Sequence, residues 1–326
     1  MSSIISTGAR PAETILVTGA TGRHGGTSAH IVTALLEAHR SVRVLARSES
    51  ERTEALAALG AEIVIGDFNN RRSLIAALDG VRTATFTYPV AGGILPAAAN
   101  FASAAREAKA PPLRVVVMSM AVAHPDSPSH LGQAQWIAEE VLAWAGLDLC
   151  ILRIAALFFE NITALHAASV RHSAEFANSF GNADVPWISG LDAARLMVAV
   201  VLRPELFAGQ AIHYPPGTEL RSHNEIAGML SAELGKQVRF NGITPQQWAT
   251  ALLALSKEDP AGVVNPDMAQ HIPAVGAALA SAKAPIRAPD PAELQRITGQ
   301  PPLSLKAFLT QNRAVFDPSY RSAEAL

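Results

Sequence analysis

The chain has 326 residues, of which 49% are hydrophobic and 17% charged, and its formal net charge is −2. This length predicts one large α/β unit with an appendage or two domains. The near-neutral charge, with no basic run, argues against a nucleic-acid-binding protein. Cys150 is the single cysteine, which excludes an internal disulfide, and no apolar run is long enough to cross a membrane. We therefore expect a cytoplasmic protein, and its low charge content is compatible with a homo-oligomer.

Short β-branched runs alternate with helical patterns through the first half of the chain. Strands are predicted at residues 14–18, 42–46, 63–65, 83–87, 114–119 and 149–153. Helices are predicted between them, at residues 26–39, 50–59, 71–78, 94–108 and 132–145. Continuous apolar strands separated by helices are typical of parallel strands that are buried on both faces. The pattern therefore predicts the α/β class, with a doubly wound parallel sheet.

The regular alternation ends near residue 155. The following residues are interpreted as mostly helical up to residue 185, and further helices are predicted at 191–202 and 222–234. We predict that residues 11–157 form the sheet domain and that a segment of about 187–214 returns to it. Residues 158–186 and 215–326 are predicted to form a smaller, mostly helical lobe that covers the substrate.

The first predicted strand leads into a glycine-rich segment, TGATGRHG, at residues 18–25. In such a segment Gly19 permits a sharp turn, Gly22 lets a pyrophosphate approach the backbone, and Gly25 lets the helix pack against the sheet. The pyrophosphate then lies at the positive end of the helix dipole. Residues 11–157 are therefore predicted to be a Rossmann domain that binds NAD(P). The predicted cofactor-binding residues in this segment are Gly19, Thr21, Gly22, Arg23, His24 and Gly25.

The second predicted strand ends at Arg47 and Ser48, where NAD-specific proteins usually carry an acidic residue. An arginine at this position can bind the 2′-phosphate of NADP through charge-assisted hydrogen bonds, and Arg23 can assist it. The sequence therefore favours NADP(H) as the cofactor. Glu49 and Glu51 lie close enough to leave NAD(H) open, and the alternative role of Arg47 is that of a solvated residue at a strand end.

Several segments together resemble the NmrA-like family of atypical short-chain dehydrogenase/reductases. The resemblance runs almost end to end, and it is carried by VTGATG at 17–22, VLAR at 44–47, GDF at 66–68, LDGV at 78–81, FFEN at 158–161, PWI at 186–188, DAAR at 192–195 and PPLSLKAF at 301–308. It implies a Rossmann strand order of 3-2-1-4-5-6 and a cleft between two lobes.

The resemblance also implies a position for residues at the ends of three further strands. Asp67 and Phe68 would contact the adenine, although Asp67 is also a candidate cap for the next helix. Tyr88 and Pro89 would lie along the ribose and the nicotinamide. Ser119 would face the nicotinamide, and its alternative role is that of a turn residue.

The pair of residues that usually protonates the substrate of a short-chain dehydrogenase is missing. That pair is a tyrosine followed four positions later by a lysine. No lysine lies four positions after Tyr88, Tyr214 or Tyr320. By the resemblance, Leu131 and Gln135 occupy the two positions, and a glutamine amide can bind a ribose but cannot act as an acid.

The sequence therefore leaves the identity of the catalytic residue open. Gln135, His130 and Ser119 are candidates, although His130 is better explained as a solvated loop histidine. The histidines do not form a metal-binding pattern, so no metal site is predicted.

Two functions are compatible with these residues. The first is an NADPH-dependent reductase of a small apolar acceptor such as a quinone or an enone, for which solvent can supply the proton. The second is a non-catalytic NAD(P) sensor of the NmrA type, which the missing Tyr–Lys pair favours. An apolar segment beside the nicotinamide favours the reductase, although its two phenylalanines are equally explained as core and its asparagine as a helix cap. The predicted substrate pocket consists of Tyr88, Phe158, Phe159, Asn161 and Trp187.

Overall fold

The structure, a computed structural model, describes residues 13–22, 26–108, 113–258, 263–281 and 286–319. Its strands are β1 (Thr14–Thr18), β2 (Ser41–Ala46), β3 (Glu62–Ile65), β4 (Val81–Phe86), β5 (Arg114–Met120), β6 (Asp148–Ile154), β7 (Leu157–Phe158), β8 (Glu175–Asn178), β9 (Val185–Ile188), β10 (Ile212–His213), β11 (Glu219–Arg221) and β12 (Arg239–Gly242). Its α-helices are α1 (Thr27–Glu37), α2 (Glu51–Ala58), α3 (Arg71–Leu78), α4 (Ile94–Glu107), α5 (His130–Trp144), α6 (Glu160–Ser173), α7 (Gly190–Leu202), α8 (His223–Leu234), α9 (Pro245–Glu258), α10 (Met268–Ala280), α11 (Pro291–Thr298), α12 (Leu305–Gln311) and α13 (Arg313–Phe316).

Seven parallel strands form the central sheet, in the order β10-β6-β5-β4-β1-β2-β3. The strands are buried on both faces because α1 and α7 pack on one side, whereas α3, α4 and α5 pack on the other. The predicted doubly wound α/β fold and its strand order are confirmed, and β10 adds a seventh strand beside β6. The strand order reverses between β1 and β4, and ligands of such sheets bind at the carboxyl ends of the strands at that point.

The second half of the chain contains more strands than the sequence indicated. Beyond the main sheet, β11, β9 and β7 form a three-stranded sheet, and β12 pairs with β8 in parallel. The interpretation of residues 155–185 as mostly helical is therefore wrong outside α6. These strands are two to four residues long and pair with distant segments, so no local alternation of apolar residues marks them.

A separate aromatic core is formed by α6, β8, β9, α8 and α12, with α10 packed against it, and it includes two buried histidines. We call these elements the smaller lobe. The His166 ring stacks on Trp248 with 5.6 Å between ring centroids, and the His223 ring stacks on Phe240 at 5.3 Å. Burial lowers the pKa of His166 to about 3 and that of His223 to about 4, so both imidazoles are neutral at physiological pH.

No helix in the described ranges is long and apolar enough to cross a membrane. The same part of the chain contains no group of three His, Cys, Asp or Glu side chains that could hold a metal ion.

Candidate cofactor and substrate cleft

The glycine-rich turn after β1 has room only for glycine at its start. Gly19 has a φ of 75°, and a Cβ atom there would lie 2.9 Å from the Thr87 carbonyl oxygen. The Gly22 N–H donates to the Gly19 carbonyl at 3.0 Å, which closes the turn. This geometry brings the backbone of the turn to the surface of the cleft, where a ligand can approach it closely.

The amino end of α1 is open for an anion. Gly26 precedes the helix with a φ of 60°, and no side chain of the described residues caps the first N–H groups. The Ser28 hydroxyl beside them is buried and has no hydrogen-bond partner among the described residues, and the same holds for the Thr87 hydroxyl. Uncapped N–H groups at the positive end of a helix dipole, together with unpartnered hydroxyls, are suited to a pyrophosphate. The residues present therefore fit a dinucleotide.

Some predicted residues of this turn lie outside the described part of the chain. They are Arg23, His24 and Gly25. Gly26 and Ser28 were missed by sequence reasoning, although the second glycine of the Gly25-Gly26 pair was a visible signal for a positive φ before a helix.

Two arginines lie near the glycine-rich turn. Arg47 follows β2 and is exposed, as is Ser48, and Arg47 forms no hydrogen bond or ion pair within the described ranges. The Arg52 guanidinium donates to the Thr21 carbonyl oxygen at 2.9 Å, so the first turn of α2 is tied to the glycine-rich turn. Sequence reasoning missed Arg52. Both arginines are exposed, and an arginine guanidinium can bind a phosphate through charge-assisted hydrogen bonds.

The residues after β3 and β4 lie next to each other. The Asp67 carboxylate accepts from the Asn69 N–H at 2.6 Å, whereas Asn70 caps α3, so the alternative role predicted for Asp67 is wrong. Phe68 packs edge-on against Tyr88, with 5.8 Å between ring centroids. The Tyr88 hydroxyl donates to the Gly92 carbonyl oxygen at 3.2 Å, and partial burial raises its pKa, so it is protonated at neutral pH.

A cleft of about 980 Å³ runs along the carboxyl ends of the central strands, and its walls are mainly apolar. It extends from the amino end of α1 to the residues that follow β6 and β10. The far wall is one side of α10, which includes His271 and Val275. The structure brings eight of the predicted site residues to this cleft: Gly19, Gly22, Tyr88, Pro89, Ser119, Gln135, Phe158 and Asn161.

Gln135 and Asn161 present free amides to the cleft. Neither side chain forms a hydrogen bond to another residue in the described ranges, although Gln135 is only 5% exposed. Asn161 is the second residue of α6 rather than its cap, which is the position of Phe159, so the capping interpretation is wrong. Both amides can therefore donate to and accept from a bound ligand.

Phe159 and Trp187 do not line the cleft, contrary to expectation. They are 0% and 1% exposed and belong to the core of the smaller lobe. Phe159 turns inward at the start of α6 and packs against Phe308 at 5.4 Å, whereas Phe158 at the end of β7 faces the cleft. Trp187 lies in the middle strand of the three-stranded sheet and donates through Nε1 to the Arg221 carbonyl oxygen at 3.0 Å.

The segment that leads into α10 binds two loops at the mouth of the cleft. Asn265 donates to the Val90 carbonyl oxygen at 2.9 Å, and the Asp267 carboxylate accepts from the Gly92 N–H at 2.7 Å. Gln270 accepts from the His130 N–H at 3.0 Å. His130 is exposed at the start of α5 and is not among the cleft residues, so its candidacy as a catalytic residue is not supported.

A buried ion pair lies beneath the cleft, beside the carboxyl ends of β5 and β6. The Ser119 hydroxyl donates to the Glu139 carboxylate, which also accepts from Arg153 at 2.5 Å. Arg153 donates through a second nitrogen to the Tyr214 hydroxyl oxygen at 2.7 Å. The side chains of Glu139 and Arg153 are 2% and 9% exposed. Sequence reasoning missed this network, and its available signal was a charged residue within a buried strand.

Comparisons with known proteins agree with this geometry. Residues 11–258 match the NmrA-like family. The chain is 31% identical over 248 residues to the NAD(P)H azoreductase of Xenophilus azovorans, which covers 74% of this chain and 81% of that protein. It is 24% identical over 247 residues to quinone oxidoreductase 2 of Escherichia coli, covering 75% of this chain and 83% of the relative.

Solved structures show the same fold. The NADPH-dependent quinone oxidoreductase of Escherichia coli, complexed with NADPH, superposes with a TM-score of 0.74 at 20% identity, covering 92% of this chain and 99% of that one. The negative transcriptional regulator NmrA, in complex with NADP, superposes with a TM-score of 0.71 at 15% identity, covering 97% and 100%. From the family match and the azoreductase relative, we conclude that the chain belongs to the NmrA-like family.

Proposed function

We propose that the protein is an NADPH-dependent reductase of a small apolar acceptor, with quinones and enones as the leading class. The observation that carries this proposal is the apolar cleft that continues from the uncapped end of α1 past Ser119 to Phe158. A protein that only sensed the cofactor would have no need of an apolar extension of the cleft towards Phe158 and Val275. The names of the azoreductase and quinone oxidoreductase relatives support the same class of reaction.

The cofactor assignment rests on the two ends of its binding site. The pyrophosphate would lie on the N–H groups of α1 and the hydroxyl of Ser28, for which no side chain in the described part of the chain competes. The 2′-phosphate of NADP would be bound by Arg47, assisted by Arg52. The NADPH and NADP complexes of the two superposed structures support this choice over NAD(H).

When bound, reduced nicotinamide supplies a hydride. The chain's own residues orient the reactants and exclude water. Gln135 is positioned to hydrogen-bond the ribose or the carboxamide of the nicotinamide. Phe158 and Val275 form apolar walls on which a flat acceptor can stack, and the hydrogen bonds of Asn265 and Asp267 hold α10 over the cleft. Proximity and orientation in a dry site account for much of the rate in hydride transfer.

A second candidate function is a cofactor sensor. Its supporting observations are the Leu131 and Gln135 side chains on α5, where a catalytic tyrosine and lysine would otherwise stand, and the similarity of fold to the regulator NmrA. The apolar cleft favours the reductase because it offers a substrate a place beside the cofactor.

The test is oxidation of NADPH by the purified protein, followed at the nicotinamide absorbance, with quinones, azo compounds, enones and aldehydes as acceptors. Turnover of one class identifies the acceptor, and the same panel with NADH measures cofactor preference. Tight NADPH binding without turnover of any acceptor would contradict the reductase and favour the sensor.

A further inference from the structure

We propose that Tyr214 donates the hydrogen bond and then the proton to the reacting oxygen of the acceptor, and that the buried Arg153–Glu139 pair positions it. This inference rests on the proposed reductase function and adds the proton donor that α5 lacks. It concerns a tyrosine in a different part of the fold, directly after the seventh strand of the sheet.

The backbone places Tyr214 at the carboxyl end of the sheet. It follows β10, in which His213 pairs with Leu152 of β6. The next residue, Pro215, accepts from the Ala155 N–H at 3.3 Å, so the chain continues alongside the end of β6. Tyr214 is 43% exposed and lines the same cleft as Ser119 and Asn161. Its phenol is therefore accessible to both a substrate and solvent.

The hydrogen bonds around Tyr214 leave its proton uncommitted. The Arg153 guanidinium can only donate, so at 2.7 Å the phenolic oxygen of Tyr214 is the acceptor. No residue in the described ranges accepts the Tyr214 proton. The donor capacity of this hydroxyl is thus available to a ligand in the cleft.

Two hydroxyls that line the cleft, those of Ser119 and Tyr88, are poorer donors to an acceptor than that of Tyr214. Ser119 already gives its proton to the Glu139 carboxylate, so towards the cleft its oxygen can only accept. Tyr88 gives its proton to the Gly92 carbonyl oxygen, and partial burial raises its pKa. The hydroxyls of Ser28 and Thr87 lie beside Gly19, at the phosphate end of the cleft.

The buried ion pair makes Arg153 a fixed partner for the phenolic oxygen. Two nitrogens of the guanidinium donate to Glu139, at 3.0 and 2.5 Å, which holds the third towards Tyr214. As the phenol loses its proton, the hydrogen bond from Arg153 becomes charge-assisted on both sides and strengthens. Arg153 and Glu139 are positioning residues, because they act on the acceptor through Tyr214.

The chemical step balances in atoms and electrons. With a quinone as the acceptor, the C4–H bond of bound NADPH would break and its hydride, with both electrons, would add to the quinone, which gives the hydroquinone monoanion and NADP⁺. The O–H bond of Tyr214 breaks as an O–H bond forms on the reduced ring, which yields the hydroquinone. The resulting phenolate takes a proton from solvent through its exposed side.

The test compares wild-type protein with Tyr214→Phe in two measurements. The first is equilibrium binding of 1,4-naphthoquinone and of naphthalene to the protein saturated with NADP⁺. Loss of one hydrogen bond should weaken quinone binding about 10-fold and leave naphthalene binding unchanged. The second is turnover with NADPH, for which we expect a loss of at least about 100-fold in kcat with a smaller change in KM.

A matched control is Tyr88→Phe, whose proton is committed to the backbone. Because Tyr88 lines the same cleft, this variant can weaken the binding of both ligands, and we expect the same factor for quinone and for naphthalene. If Tyr214→Phe binds and reduces the quinone as the wild type does, or if it loses both ligands equally, the inference is overturned and the reductase function stands. If the wild-type protein neither binds nor reduces any acceptor, the proposed function and the inference both fail.

Discussion

The two ends of the cleft are built in opposite ways. At the phosphate end, the polar groups that face the ligand are backbone N–H groups and hydroxyls without partners, as at Gly26 and Ser28. At the substrate end, Ser119 and Arg153 already donate to Glu139. Arg153 also donates to Tyr214, whose phenolic proton has no acceptor among the described residues. The donors of the first end are suited to the negative charge of a ligand's phosphates. The charges of the second end, on Arg153 and Glu139, already neutralise each other. Under the proposed function, the first end would bind the phosphates of the cofactor and the second would react with the acceptor.

The largest expected effect is at the phosphate end. In Gly22→Val, the added side chain would occupy the place where a pyrophosphate is expected to approach the backbone. The turn itself is also tight, because a Cβ atom at residue 22 would lie 3.0 Å from the Gly19 carbonyl oxygen. We expect NADPH and NADH to bind at least about 100-fold more weakly, measured by nicotinamide fluorescence. An unchanged unfolding midpoint would show that the fold survives, and retained affinity would place the pyrophosphate elsewhere.

Arg47→Ala tests the preference for NADPH over NADH at the same end of the cleft. Removal of one charge-assisted contact should weaken NADPH binding about 30-fold and NADH binding less than about 2-fold, because only NADPH carries the 2′-phosphate. Arg40→Ala is the control, since it removes the same charge at the other end of β2. Equal losses for both cofactors would contradict the NADP(H) assignment.

Helix α10, which packs against the smaller lobe, forms the wall of the cleft opposite the central sheet. The cleft can therefore form only at pH values at which this lobe is folded. The neutral imidazoles of His166 and His223 have folded pKa values of about 3 and about 4, below the ordinary value of 6.5. The unfolded chain therefore binds more protons than the folded one as the pH falls below 6.5, and stability is lost. At pH 5 each histidine should cost roughly 2 kcal/mol relative to pH 8.

Glu160 acts in the opposite direction. Burial raises its pKa to about 7 from 4.5, so its contribution to stability falls as the pH rises from 4.5 to 7. The two histidines outweigh this one carboxyl. We expect His223→Phe to reduce the difference in unfolding free energy between pH 7.5 and pH 5 by roughly 2 kcal/mol, measured by urea denaturation. The exposed His172→Gln is the control, and an equal change in both variants would contradict a specific effect of burial.

The smallest expected effect is that of Gln135→Leu, between the two ends. Loss of one neutral amide contact should weaken NADPH and NADH binding by the same factor of about 3. A change in the ratio of the two affinities would mean that Gln135 contacts the adenosine half, and no change at all would remove it from the cofactor site.

The difference between the two ends of the cleft also explains how much of the fold and the site could be predicted from the sequence. The phosphate end is local: a strand, a glycine-rich turn and a helix follow one another, so Gly19 and Gly22 were recognisable from spacing alone. The α/β fold followed from the same alternation. The substrate end is assembled from distant segments, since Arg153 and Tyr214 are 61 residues apart and meet only because β10 pairs with β6. Phe158 and Phe159 are adjacent, yet one faces the cleft and the other the core, which composition cannot distinguish.

The most direct test of the reductase is a single turnover without oxygen. Protein saturated with NADPH that carries deuterium at the transferable position of nicotinamide C4 is mixed with 1,4-naphthoquinone, and NADP⁺ and hydroquinone are quantified. The account predicts one hydroquinone for each NADPH oxidised, at a rate lower than with unlabelled NADPH, because the labelled bond breaks during direct hydride transfer in the cleft. NADPH that stays bound and reduced in the presence of the quinone would contradict the central claim.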